Sequence, residues 1–566
     1  MRDAPRRLGE ARDSMENHLV RTLMRRSTAI AACVLALCST TPSARVPAKE
    51  APQNQPRPRL VVLLVVDQLR ASYLTEYDSH LTGGLRRLMR DGAWFTNGAY
   101  PYLNTVTCSG HSTIGTGAFP YRHGMILNAW LDRETGRSPY CTDDPETKGI
   151  SYNGLPPGTG NSARRLAVPS LAEQVHARGG RAAALSLKPR SAIPLAGRKA
   201  DAVIWFDDRG GWSTSSAFAR APVPALQQFI GANPMEADYD KVWERTLDAA
   251  RYRYEDDAEA EGRTAGWTRT FPHPLGTPGG KPDGRFYARW QRSPFADEYL
   301  GRMAAALVDA WKLGRADRTD FLGVSFSSLD LVGHAFGPRS HEVQDLLIRL
   351  DRTIGRLLDH LDKTVGPSNY VIGMSADHGV ADVPEQAQRG GRQTGAIAAE
   401  ALMKVLVPAL GDGDHVAATN YTDIYLTEWA YEKVKSDPRL LEATMAALRS
   451  LPAIDRVFLG EDLATAGARS SRDPVMRAAA LSYFKGRSGD FIVVPKEQWL
   501  LSSSVTTHGT HYPYDQRVPV ILFGAGIKAG AYAVDATPAD LAPTLAAIAG
   551  VETAPADGRV LKEGLR

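Results

Sequence analysis

With 4 cysteines in 566 residues, the chain has too few to build a disulfide scaffold, and two of them, Cys33 and Cys38, lie in an N-terminal apolar run. That run, Ala29 to Leu37, falls well short of the roughly 20 residues that cross a bilayer, so stable membrane insertion is not expected. A surplus of one charge is also missing. The chain has 67 Lys plus Arg against 63 Asp plus Glu, and residues 1–44 hold seven Arg and four acids, leaving the remainder near +1. A nucleic acid polymer would find no electrostatic footprint. No internal repeat is visible, and Gly280-Lys281 lacks the earlier Gly and following Ser or Thr of a phosphate-cradling loop. What is present, 43% hydrophobic and only 23% charged residues, excludes disorder and coiled coil and suffices for several cores.

Ala29 to Leu37 follows Arg25 and Arg26 and precedes a small, Pro-containing stretch, the layout of a secretory signal. Four acids within Met1 to Glu16 are unlike such a signal's basic start, which points to Met15 or Met24 as the first residue. The tetrad ending at Cys38 is a poor lipidation site because Leu37 precedes the cysteine. The mature chain is therefore expected in the periplasm or outside the cell, as a monomer. There Cys108 and Cys141 either pair or leave Cys108 buried and free. Pro47, Pro52, Pro56 and Pro58 stiffen a linker, and the globular part starts near Leu60.

Leu60 to Val66 reads LVVLLVV, the continuous apolar run of a strand buried on both faces, and it stops at Asp67. Ala182 to Leu187, Phe321 to Phe326, Tyr370 to Met374 and Val518 to Phe523 repeat the construction. Helical spacing intervenes, clearest from His341 to Lys363. This alternation predicts an α/β fold, a three-layer α/β/α arrangement with a mostly parallel central sheet plus inserted cap segments. The expected division is 1–44 signal and N-terminal extension, 45–59 linker, 60–206 first core part, 207–300 cap insertion, 301–382 second core part, 383–500 second insertion and 501–566 third core part.

Polar residues collect at the strand ends, where such folds bind ligands. Asp330 and His334 are four apart, which on a helical turn makes a two-ligand clip for a divalent cation; a polar strand cap is the alternative. Asp377-His378 sits at a strand exit beside Gly379, and His508 lies in a Gly-flanked loop before the last strand. Asp67 ends a buried strand, where a carboxylate needs a cation or hydrogen bonds unless it caps a helix. Three Asp and three His suffice for two mixed oxygen and nitrogen sites, a donor set suited to zinc. Thr107, followed by Cys108-Ser-Gly-His, is either a helix N-cap or a hydroxyl nucleophile activated by a cation and a helix N-terminus. Lys188 and Arg190, two apart, share one face if extended and could grip a doubly charged oxyanion.

Together these stretches resemble the alkaline phosphatase superfamily, more narrowly the bacterial phosphate-irrepressible alkaline phosphatases with a threonine nucleophile. The resemblance runs from Leu60 to Val551 through VVDQLR, TVTCSGHSTIGTG, HGMILNAW, SLKPR, FPHPL, SSLDLVGHAFGP, SADHG and TTHGTHYPYD. It implies two Zn2+ per chain, one held by the positions matching Asp330, His334 and His508, the other by those matching Asp67, Asp377, His378 and the Thr107 oxygen. It also implies contacts from Asn128, Lys188 and Arg190 to phosphoryl oxygens, and hydrolysis of small phosphate monoesters through a phosphothreonine. A nucleotide pyrophosphatase or phosphodiesterase on the same scaffold is the nearest alternative, and a non-catalytic secreted zinc-binding protein the remote one. Cys108-Ser-Gly-His-Ser112 does not fit the modified-residue motif of sulfatases.

Overall fold

The computed structural model describes residues 57–566 apart from 155, 157, 208 and 259; the signal reading and most of the linker lie outside the described residues. Its main sheet has eleven strands: β1 (Leu60–Val66), β2 (Ala93–Gly98), β3 (Asp143–Ser151), β4 (Thr159–Asn161), β5 (Ala182–Ser186), β6 (Ala202–Asp207), β7 (Gly211–Ser215), β8 (Asp320–Phe326), β9 (Tyr370–Ser375), β10 (Val520–Gly524) and β11 (Gly530–Ala536). Their order is β11-β2-β10-β9-β1-β8-β5-β6-β7-β3-β4. The central run β9-β1-β8-β5-β6 is parallel. On either side the sheet continues through antiparallel pairs, β9–β10 and β10–β2 on one flank and β6–β7 on the other, so the sheet as a whole is mixed.

β1 shows why its sequence never alternates in polarity. Leu60, Val62, Leu64 and Val66 join one hydrophobic cluster, and Val61, Leu63 and Val65 join another on the opposite face. Helices cover both. On the second face lie α1 (Thr107–Thr116), α2 (Pro189–Ala196) and, further along the chain, the helix Leu541–Ala549; the first face carries α3 (Pro294–Trp311) and α5 (His341–Thr364), with α4 (Ser328–Phe336) between them in sequence. Burial of this kind stabilises by roughly 25 cal/mol per Å² of apolar surface removed from water.

The two segments read as insertions differ. Residues 383–500 form a four-stranded sheet, Val416–Asn420, Asp423–Leu426, Phe491–Pro495 and Ile454–Leu459, over a core of their own that includes Ile424, Leu426, Val457 and Val493. The segment 207–300 is not wholly an insertion. Its first residues form β7, which pairs with β6 and β3, and Trp212 on β7 packs against Trp290 and Tyr299, so this stretch is part of the main sheet. This strand reads GWSTS and lacks the continuous apolar run that marks the central strands.

Candidate active site

Strand direction brings the site together. β1, β5, β8 and β9 run parallel and in register, Val65 opposite Ser375 and Val66 opposite Phe326, so Asp67, Lys188, the start of α4 and Asp377-His378 leave the sheet at one edge. β10 runs the other way, with Val520 opposite Ser375, and the loop entering it therefore delivers His508 to the same edge. β2 is antiparallel to β10, so its carboxyl end leads there too, into the loop before Thr107. Chain direction, not length of loop, sets this convergence.

Asp67, Asp377, His378, Asp330 and His508 are all buried. Ligand atoms of Asp67, Asp377 and His378 lie within 4.8 Å of one another, and so do those of Asp330, His378 and His508. His378 thus stands between two groups. His334 joins the second through Asp330, its Nε2 lying 3.2 Å from Asp330 Oδ1, the contact that the four-residue spacing on α4 produces. The rings of His378 and His508 stack with centroids 3.4 Å apart.

Each of the three imidazoles places Nδ1 at 2.9 Å from a main-chain carbonyl: Thr506 for His334, Gly379 for His378 and Thr105 for His508. A carbonyl only accepts, so Nδ1 carries the proton and Nε2 presents its lone pair to the cluster. This outer hydrogen bond is the usual device that orients a metal-binding imidazole.

Charge in the cluster is unbalanced. Three buried carboxylates face one ammonium, Lys188, whose Nζ donates to Asp67 Oδ2 at 2.6 Å and also to Asp330 Oδ2. Burial, reinforced by Asp330 and Asp377, pushes the Asp67 carboxyl well up. Burial opposes the Asp330 charge as well, but Lys188 and His334 hold its carboxyl well below the usual range. Burial and the neighbouring His378 and His334 push His508 down, toward the neutral form that can bind a metal. Asp67 Oδ1, Asp377 Oδ2 and His378 Nε2 are buried and accept no hydrogen bond. Buried polar atoms left this way are costly, and a divalent cation among them supplies the missing partner and charge, so the donor set fits metal binding.

Thr107 is the first residue of α1; the residue before it, Val106, is extended, and no side chain caps this end, so the Thr107 hydroxyl is not an N-cap. Among the described residues that hydroxyl has no hydrogen-bond partner. Its backbone carbonyl accepts from His111 Nδ1 at 2.9 Å, and the same nitrogen lies 3.2 Å from Asp377 Oδ2, which places the start of α1 against the carboxylate group. Gly110 permits this approach, because a Cβ there would lie 2.2 Å from the Asp377 carbonyl oxygen. Asn128 accepts from the Cys108 N–H through Oδ1 at 3.0 Å. A cavity of about 330 Å³ opens above, lined by Asn128, His334, Tyr421 and His508.

Arg190 differs from its expected geometry. The chain is extended at Lys188 but turns helical at Pro189, a residue favoured at the first helical position, so the two cations are not on one extended face. Arg190 and Lys188 instead line a second cavity of about 690 Å³, where the Arg190 Nε is buried without a partner.

Three residues at the site escaped sequence reasoning. Gln68, at φ 67°, donates its main-chain N–H to Asp377 and its Nε2 to Asp330 Oδ1 at 2.7 Å. A Cβ on Gly333 would lie 1.8 Å from Gln68 Oε1, so the Gly of the DLVGH stretch was the available signal. His111 links Thr107 and Asp377 and reaches Ser325 through Nε2 at 2.8 Å. Tyr421, on the turn of the second insertion, donates to the His508 carbonyl at 2.7 Å; nothing local in the sequence marks it.

The chain resembles known proteins over most of its length. Alkaline phosphatase PafA of Elizabethkingia meningoseptica is 31% identical over 515 residues, 88% of this chain and 92% of that one. Alkaline phosphatase PhoV of Synechococcus elongatus is 30% identical over 522 residues, with the same coverage. The crystal structure of wild-type PafA superimposes with a TM-score of 0.82 at 30% identity, covering 90% of this chain and 99% of its own. The family description "type I phosphodiesterase / nucleotide pyrophosphatase" matches residues 61–514, from the first strand through the loop bearing His508, and the chain belongs to that family, within the alkaline phosphatase superfamily.

Proposed function

We propose that this chain is an exported, zinc-dependent alkaline phosphatase that hydrolyses small phosphate monoesters through a phosphothreonine at Thr107. The observation that carries this reading is the set of buried, unpartnered ligand atoms on Asp67, Asp377 and His378 beside an unengaged threonine hydroxyl at a helix start. Asp330, His334 and His508 would hold one zinc, and Asp67, Asp377 and His378 with the Thr107 oxygen the other. When bound, such a pair lowers the pKa of the Thr107 hydroxyl and neutralises charge on the attacking and leaving oxygens.

The chain's own residues do the rest. Thr107 Oγ1 forms the bond to phosphorus as the ester oxygen departs; water then displaces Oγ1 and phosphate leaves. The transition state is loose, so the demand on the protein is positioning and charge. Asn128 offers Nδ2, since its Oδ1 is taken by the Cys108 N–H. Lys188 and Arg190 add positive charge where a dianionic monoester carries its extra oxygen. The buried Cys108–Cys141 disulfide supports an oxidising compartment.

The test is turnover of matched chromogenic mono- and diesters. Thr107→Ala and chelation should each abolish it, with zinc restoring only the latter. A Lys188→Ala, Arg190→Ala double variant should lose monoesterase activity far more than diesterase activity. An unchanged ratio in that variant overturns the monoester assignment in favour of the phosphodiesterase alternative, and zinc binding without turnover of any ester would favour a binding protein.

A further inference from the structure

We propose that the Cys108–Cys141 disulfide is a positioning device for Asn128, clamping the loop that carries it to the first turn of α1 so that its carboxamide is aimed at the reacting phosphoryl group. This deepens the phosphatase reading and rests on it. Cys108 follows Thr107 directly, and both cysteines are fully buried. Each is hydrogen-bonded to Asn128. The Cys108 N–H donates to Asn128 Oδ1 at 3.0 Å, and the Cys141 N–H donates to the Asn128 main-chain oxygen at 2.8 Å. The bridge therefore joins the residue that holds the Asn128 side chain to the residue that holds its backbone.

Asn128 starts a narrow loop. Ala129 pairs with Tyr140, and Asp132 with Arg137, so residues 128–141 double back on themselves and the disulfide fastens their base to α1. The loop's outer side is open: Tyr140 is 61% exposed. The N–H groups of a first helical turn have no acceptor within the helix. By taking one of them, Asn128 Oδ1 settles which end of the carboxamide faces α1 and leaves Nδ2, without a partner among the described residues, as the donor. Without the bridge, the loop base can move off the helix, and the amide loses the contact that orients it. A bridge that served only as a staple would act on stability independently of Asn128, and that difference is measurable.

The experiment compares wild type, Asn128→Ala, Cys141→Ser and the double variant, each as the full metal-loaded protein. It reads kcat/KM for a phosphate monoester and the inhibition constant of inorganic phosphate. Cys141→Ser should weaken both roughly tenfold, the effect of one hydrogen bond to a charged group. Asn128→Ala should weaken them at least as much, and the double variant should be no worse than Asn128→Ala. Singles whose effects multiply in full, or wild-type phosphate inhibition in Cys141→Ser, overturn the proposal. If Cys141→Ser does not fold, the folded wild type is reduced with a water-soluble phosphine, and thiols at Cys108 and Cys141 are followed by mass spectrometry. Phosphate inhibition should then weaken as thiols appear in wild type but not in Asn128→Ala; no change in wild type overturns the proposal. Asn128→Ala with wild-type kinetics overturns it too, whereas turnover surviving in Thr107→Ala sinks the phosphatase reading itself.

Discussion

Gly110→Ala is the sharpest single test of how the proposed nucleophile, Thr107, is placed. The added Cβ would lie 2.2 Å from the Asp377 carbonyl oxygen and 2.6 Å from its Cα, where ordinary contact starts at 3.4 Å. The obstacle is main chain, which cannot rotate aside, so α1 and the Asp377 loop must separate by about 1 Å. Overpacking of this kind costs about 1–3 kcal/mol of stability. Its effect on rate should be larger in consequence, because a 1 Å misplacement of a reacting group costs on the order of 100-fold. The loss should appear mainly in kcat, with zinc content measured alongside. Gly231→Ala is the control: its Cβ meets nothing within 4 Å in the helix Pro224–Ala232, and alanine there should add up to about 1 kcal/mol with turnover unchanged. Gly110→Ala with kcat/KM within about threefold of wild type would refute the reasoning.

Three further outcomes follow from the same geometry. Chelation should lower the melting temperature by several degrees, because a cation present at a thousand times its Kd stabilises by about 4 kcal/mol; an unchanged melting curve would contradict the cluster's need for one. Loss of the disulfide, which joins residues 33 apart, should cost about 3.5–4 kcal/mol by the chain-entropy estimate, seen as a lower denaturant midpoint. In the first inserted segment, burial pushes the Glu261 carboxyl up to about 9 and that of its neighbour Glu342 to about 8, against 4.5 for the free group. Their stability contribution is complete below the unfolded pKa and is lost as pH rises through the folded values, by about 1.4 kcal/mol per pH unit for each group. Glu261→Gln should therefore flatten the fall of melting temperature with alkaline pH, and an unaltered slope would refute the assignment.

The central strands and the polar residues that end them were legible, because burial on both faces forces a continuous apolar run, and such a run stops where a charged residue begins. Thus Asp67, Asp330, Asp377 and His378 could be found in order along the chain. Strand direction was not legible: Val520–Gly524 is as apolar as its neighbours yet runs against them, and an apolar pattern carries no sense of direction. Nor were contacts between distant segments. Gln68 braces Asp330 and Asp377 from 262 and 309 positions away, and Tyr421 reaches His508 from another sheet. The geometry around Arg190 was open because Lys188-Pro189 is compatible both with continued extension and with a helix start, and the chain turns helical at Pro189.

The acceptors that hold the three imidazoles are main-chain oxygens, and replacing a side chain does not delete a peptide carbonyl. Drift at Thr105 or Thr506 can thus change what those residues show to their surroundings and still leave the tautomers of His508 and His334 as they are. The readiness of these nitrogens to bind metal is inherited from the path of the backbone, and it should persist in relatives for as long as that path does, however far the neighbouring letters wander.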